Sequence, residues 1–102
     1  MVIVLGSVQI APGKVTEALA LSLDHVRRSR TDPGCLEHGV NVDAEAPNRL
    51  VFVERWSGMG TLKAHFGVPA SRGFVKALGA LCSAAPAMSL FEAQLVSPSG
   101  KT

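Results

Sequence analysis

The sequence predicts an α+β sandwich in which a four-stranded antiparallel sheet carries its helices on one face. Three observations predict it. Strand-like apolar runs and stretches of helical period follow one another in the order βαββαβ, with the second helical stretch broken in two. Each change of period falls at Pro, Gly or Asn punctuation. The 102 residues, 47% of them hydrophobic, suit a single domain with a real core.

Val2 to Ala11 is nearly continuously apolar and rich in Val and Ile, and it stops at Pro12-Gly13, which reads as a strand buried on both faces. Val15, Ala18, Leu19, Ser22, Leu23 and Val26 then recur at helical spacing. They predict an amphipathic helix from about Lys14 to Arg30, ended by Asp32-Pro33-Gly34. Two strand patterns follow, Cys35 to Ala44 and Arg49 to Ser57, around the turn-type tetrapeptide Glu45-Ala46-Pro47-Asn48. Pairing Ala44 with Arg49 sets Asn41 opposite Phe52, Gly39 opposite Glu54 and Glu37 opposite Trp56. One face then holds Leu50, Phe52, Glu54 and Trp56, and the other Val40, Val42, Val51 and Val53.

Ser57 is the expected N-cap of a short helix through about Phe66, broken by Gly67-Val68-Pro69. Ser71 is expected to cap the next helix, whose stripe is Phe74, Val75, Leu78, Leu81 and Cys82. Pro86 ends that segment, and Met88 to Val96 supplies the last strand. The domain is expected to span 1–97, with 98–102 a polar tail. The order matches a ferredoxin-like sandwich, whose helices cover one side of the sheet. Strand one and the central hairpin are apolar on both sides, so a homodimer packed sheet to sheet is expected.

Composition narrows the function classes. Net charge is only +2, and the cluster Arg27, Arg28, Arg30 falls at a helix end, where cations complement the helix dipole. With no Tyr and no basic–aromatic interleaving, nucleic-acid binding is not expected. The opening apolar run Met1–Leu5 is too short to cross a membrane. Cys35 and Cys82 lack metal or redox spacing, which fits a reduced, cytoplasmic protein. His25, His38 and His65 show no close ligand spacing in the sequence, so no metal site is expected, and His25 and His38 are read as surface or structural. Gly58-Met59-Gly60 lacks the rest of a dinucleotide fingerprint.

The motifs Pro12-Gly13-Lys14, Asp32-Pro33-Gly34-Cys35-Leu36, Glu54-x-Trp56, Ala64-His65, Pro69 and Phe74 occur in this order. In that combination the chain resembles the antibiotic biosynthesis monooxygenase family of the dimeric α/β-barrel superfamily. The resemblance implies a dimer with a pocket between the sheet and the helices of each subunit. It also implies oxidation of a small aromatic, quinol- or anthrone-like substrate by O2 without any cofactor. The haem-degrading branch resembles the chain in its Trp and His but carries an Asn on the first strand. Here that stretch is Leu5-Gly6-Ser7-Val8, so haem cleavage is not expected.

Such chemistry needs a proton acceptor, a dry aromatic wall and donors for an anion. His65 is the expected base, and Trp56 the expected indole donor and flat wall. Asn41 and Arg72 are expected to hold oxyanion or carbonyl oxygens, with Phe52, Glu54, Phe66 and Phe74 completing the substrate site. Each carries a competing structural role. Trp56 can cap the core through its indole nitrogen, His65 can bond a loop carbonyl, and Glu54 can pair with an Arg, within the chain or across the dimer. The competing functions are a non-catalytic ligand-binding dimer and an isomerase or lyase of the same superfamily.

Overall fold

The computed structural model describes residues 1–99. Its elements are β1 (Val2–Gln9), α1 (Val15–Ser29), β2 (Cys35–Asp43), β3 (Ala46–Trp56), α2 (Met59–Gly67), α3 (Pro69–Gly79) and β4 (Ala87–Glu92). The four strands form one antiparallel sheet in the order β2-β3-β1-β4. This is the expected α+β arrangement, with the helical layer on one face. Residues 100–102, most of the expected tail, lie outside the described residues.

Alternation along β3 divides the two faces. Leu50, Phe52, Glu54 and Trp56 are buried beneath the helices, while Val51, Val53 and Arg55 between them are only partly covered. On β1, Val2, Val4 and Val8 share the helix face, and Leu5 on the other is 45% exposed. Two apolar clusters make the core. Val8, Ile10, Ala18, Val26, Leu50, Phe52 and Leu78 form one, and Val2, Val4, Trp56 and Leu62 the other. Glu54 sits on β3 between Phe52 of the first cluster and Trp56 of the second, so a polar belt separates them.

The hairpin departs from the expected register by one residue. The turn is Ala44-Glu45, and Pro47 and Asn48 belong to β3 rather than to the turn. Asp43 is the physical reason. Its carboxylate accepts the Glu45 backbone N–H at 2.9 Å and binds the Arg49 guanidinium at 2.9 Å, which tightens the turn and bulges the ladder between Val42 and Asp43. His38, not Gly39, therefore faces Glu54; Val40 faces Phe52, Asn41 faces Val51, and Glu37 faces Arg55. A slip of one residue exchanges the faces of a strand. His38 and Val40 thus go under the helices, and Asn41 goes to the open face.

Smaller corrections concern element ends. β1 stops at Gln9, with Ile10 making a single bridge to Cys82, and β4 stops at Glu92 rather than Val96. Neither serine caps its helix. The N-cap of α2 is Gly58 and that of α3 is Val68, followed by Pro69 at the first helical position, where a missing N–H costs nothing. Ser71 instead lies inside α3, where its hydroxyl accepts a hydrogen bond from Arg28 of α1 at 2.7 Å. No helix of the described residues is long and apolar enough to cross a membrane.

Candidate functional site

A cavity of about 500 Å³ lies between the sheet and the helices, within the range of small-molecule sites. Its walls are mostly apolar: Phe52 from β3, Phe66 from α2, Phe74 and Leu78 from α3, and Met88 from β4. Met88 is 56% exposed and Leu90 42%, so the helical layer leaves β4 open and the cavity has a mouth there. Polar groups converge at its other end, where His25, His38, Glu54 and His65 all line the space and Arg72 stands exposed at the rim.

His65 comes from α2, whose inward face carries Leu62 and His65 three residues apart. Its Nδ1 lies 2.7 Å from Asp32 Oδ2. A carboxylate accepts, so Nδ1 carries the proton, and in the neutral ring the Nε2 lone pair is left free. Asp32 follows α1 in a turn held by its backbone N–H to the Ser29 carbonyl at 3.0 Å and by the Arg28 guanidinium at 3.6 Å. Pro33-Gly34 then turns the chain into β2. Gly34 has φ +80°, and a Cβ there would lie 2.5 Å from the Thr61 side chain on α2. The Asp-Pro-Gly segment therefore brings Asp32 within reach of His65 by packing its glycine against the helix that carries the histidine.

Trp56 does not line the cavity, which corrects the expectation of an aromatic wall. It is fully buried behind His65, with ring centroids 4.5 Å apart, and its indole N–H donates to Glu54 Oε1 at 2.9 Å. Asn41 is also corrected: the register places it opposite Val51, on the face away from the cavity. Phe52, Glu54, Phe66, Arg72, Phe74 and His65 do border one space. Glu54 has no arginine partner among the described residues; its neighbours are Trp56 and His38, whose Nε2 is 3.2 Å away. Burial would raise the Glu54 pKa, but the hydrogen-bonding and charge of His38, the Trp56 N–H and the charge of His65 together hold it below the usual carboxylate value.

Sequence reasoning missed His25 and His38. Both are buried, and with His65 they bring one nitrogen each within 4.8 Å of one another. Distance along the chain concealed a cluster assembled by α1, β2 and α2. A signal for His25 was present: it falls three residues after Ser22 and seven after Ala18, on the buried stripe of α1. Its ring stacks on Phe74 with centroids 3.9 Å apart. Its pKa is pushed down to about 3, first by burial, then by the neighbouring His38, His65 and Arg28 charges. His25 is therefore neutral at pH 7.

Residues 1–77 match the family model described as antibiotic biosynthesis monooxygenase. An uncharacterised protein of Synechocystis sp. is 32% identical over 75 residues, which cover 74% of this chain and 51% of that protein. The chain thus spans about half the length of that relative. Among solved structures, an antibiotic biosynthesis monooxygenase superposes with TM-score 0.86 at 25% identity, covering 93% of this chain and all of the other. A Deinococcus radiodurans protein provisionally assigned to the same family superposes with TM-score 0.90 at 23% identity, over 95% of this chain and 96% of its own; at that identity it speaks for the fold. The family match extends from β1 into α3 and so takes in His25, Asp32, His38, Glu54 and His65. The chain belongs to the antibiotic biosynthesis monooxygenase family.

Proposed function

We propose that this protein oxygenates a small aromatic substrate of the quinol or anthrone class with O2, and that His65 is its general base. The observation that carries the reading is the Asp32–His65 pair at the polar end of an otherwise apolar cavity. A phenolic hydroxyl placed there meets the free Nε2, and Asp32 balances the imidazolium that forms. The resulting anion is electron-rich enough to reduce O2 without a bound cofactor. For an activated methylene the balance closes: CH2 becomes C=O, one oxygen atom enters the product, the other leaves as water, and no outside reductant is consumed. Phe52, Phe66 and Phe74 would hold the ring away from water, and Arg72 would meet an anionic or carbonyl oxygen at the rim. Trp56 acts in this scheme as a positioning residue behind His65.

The site is expected to work in a homodimer joined through the open face of the sheet, and in the cytoplasm. Oxygen uptake on a panel of anthrones and hydroquinones, measured in the presence of a chelator, tests the reading. His65→Ala is expected to lower kcat about 100-fold or more, in line with loss of a general base. Uptake that is unchanged in His65→Ala removes the base assignment, and no uptake across the panel removes the oxygenase reading.

A further inference from the structure

We propose that His25, His38 and His65 form a binding site for a divalent transition-metal ion of the zinc class, with its open coordination position facing the cavity. The three ring centroids are 5.3, 5.4 and 5.6 Å apart, and one nitrogen from each ring lies within 4.8 Å of the others. Tetrahedral imidazole ligation at a Zn–N distance of about 2.0–2.1 Å sets donor nitrogens roughly 3.3 Å apart. Binding would therefore draw the nitrogens together by up to about 1.5 Å.

One of these nitrogens is buried with no partner of its own. His38 has a side chain only 1% exposed; its Nε2 lies 3.2 Å from Glu54 Oε1, while its Nδ1 is buried with no hydrogen-bond partner. A buried unpartnered imidazole nitrogen is destabilising, and a ligated ion would offset that cost. His65 presents Nε2, because Nδ1 is engaged by Asp32. His25 meets Arg28 at Nδ1 (3.3 Å) and Ser29 Oγ at Nε2 (3.4 Å), so an ion would displace one of these two long contacts. Among the described residues no hydrogen bond joins one of these rings to another; they meet edge-on or tilted.

Beyond the ligands stand two carboxylates, Asp32 at His65 and Glu54 at His38, the outer partners that fix the orientation of metal-ligating imidazoles. Their charge also offsets Arg28, which lies close to Asp32. Imidazole ligands suit zinc, copper, nickel or iron(II) and do not suit magnesium or calcium. All three histidines line the cavity, so a fourth position would be reached from it. An ion held there takes the Nε2 lone pair of His65. It would therefore block the base proposed above and act as a brake on oxygenation, not as its cofactor.

The test uses the full chain without an affinity tag, stripped with chelator and titrated with Co2+. One equivalent is expected to give the intense visible absorption of tetrahedral cobalt, displaced by one equivalent of Zn2+. His38→Ala and His65→Ala are each expected to weaken binding at least about tenfold, the scale seen for perturbed metal sites. X-ray absorption of the Zn2+-loaded wild-type chain, expected to show three imidazole ligands, decides the matter where a variant does not fold. Failure to bind one equivalent, binding unaffected by both variants, or an absorption spectrum lacking imidazole ligands overturns the proposal. Binding is read independently of turnover. Cobalt binding without oxygen uptake leaves the metal site and removes the oxygenase; uptake in chelator without cobalt binding does the reverse.

Discussion

Gly34 shows how one residue serves both fold and site. Its φ of +80° lies where a side chain is strained, and an added Cβ would lie 2.5 Å from Thr61 and 2.6 Å from the Ser57 hydroxyl. Gly34→Ala combines both penalties and is expected to cost about 2 kcal/mol or more, seen as a lowered midpoint in urea with an unchanged slope. Because the same turn carries Asp32, any activity in the folded variant should fall as well. His25 contributes to the response to acid. Its pKa is about 3 in the folded chain against 6.5 unfolded, so between those values the unfolded state binds more protons. This contribution to stability is complete above about pH 6.5 and is lost as pH falls toward 3. In chelator, the melting temperature should fall steadily across that window. His25→Phe, which keeps an aromatic ring against Phe74, should flatten the decline; an unchanged pH profile in the variant would assign the acid sensitivity elsewhere.

At the scale of elements, α1 and α3 are tied by a polar contact inside an apolar layer. Arg28 donates to Ser71 at 2.7 Å and also approaches His25 and Asp32. Ser71→Ala leaves part of that guanidinium without a partner, and a loss of about 1 kcal/mol is expected by chemical denaturation, whereas Ser71→Thr should retain most of it. The elements themselves were legible in the sequence because their periods are strong. Val2 to Ala11, the stripe through Val26 and the alternation from Leu50 to Trp56 each announce their type, and all survive in the structure. The register was not legible. Pro47-Asn48 carries the composition of a turn, yet the side chain of Asp43 forms the tighter one at Ala44-Glu45, three residues earlier. That single-residue slip sent Asn41 to the open face and hid His38, and with it the histidine cluster. His65 was found because its motif sits on one short helix. Its partners come from other elements, and only the folded chain assembles them.

At the scale of the whole molecule, the sheet leaves one face without cover. Ile3 and Leu5 on β1, Val51 and Val53 on β3 and Phe91 on β4 share it, and the register sets Leu5 directly between Val53 and Ser89. Leu5 is 45% exposed and Phe91 49%, which leaves a contiguous apolar surface in a chain of this size. Its polar groups are Ser7, Ser89 and Asn41, with the Arg55–Glu37 pair at one end and Gln9 and the Arg49–Asp43 pair at the other. A second copy is the simplest cover, because a face of this kind is self-complementary about a two-fold axis. Sedimentation at micromolar concentration is expected to give twice the mass of one chain. Leu5→Asp puts a charge at the centre of the face, where pairing would bury it without a partner, so the variant should sediment as a monomer. The cavity opens on the opposite side, and the cobalt titration of a folded Leu5→Asp monomer should therefore still reach one equivalent. A wild-type chain that sediments as a monomer would remove the dimer and leave the exposed face to another partner.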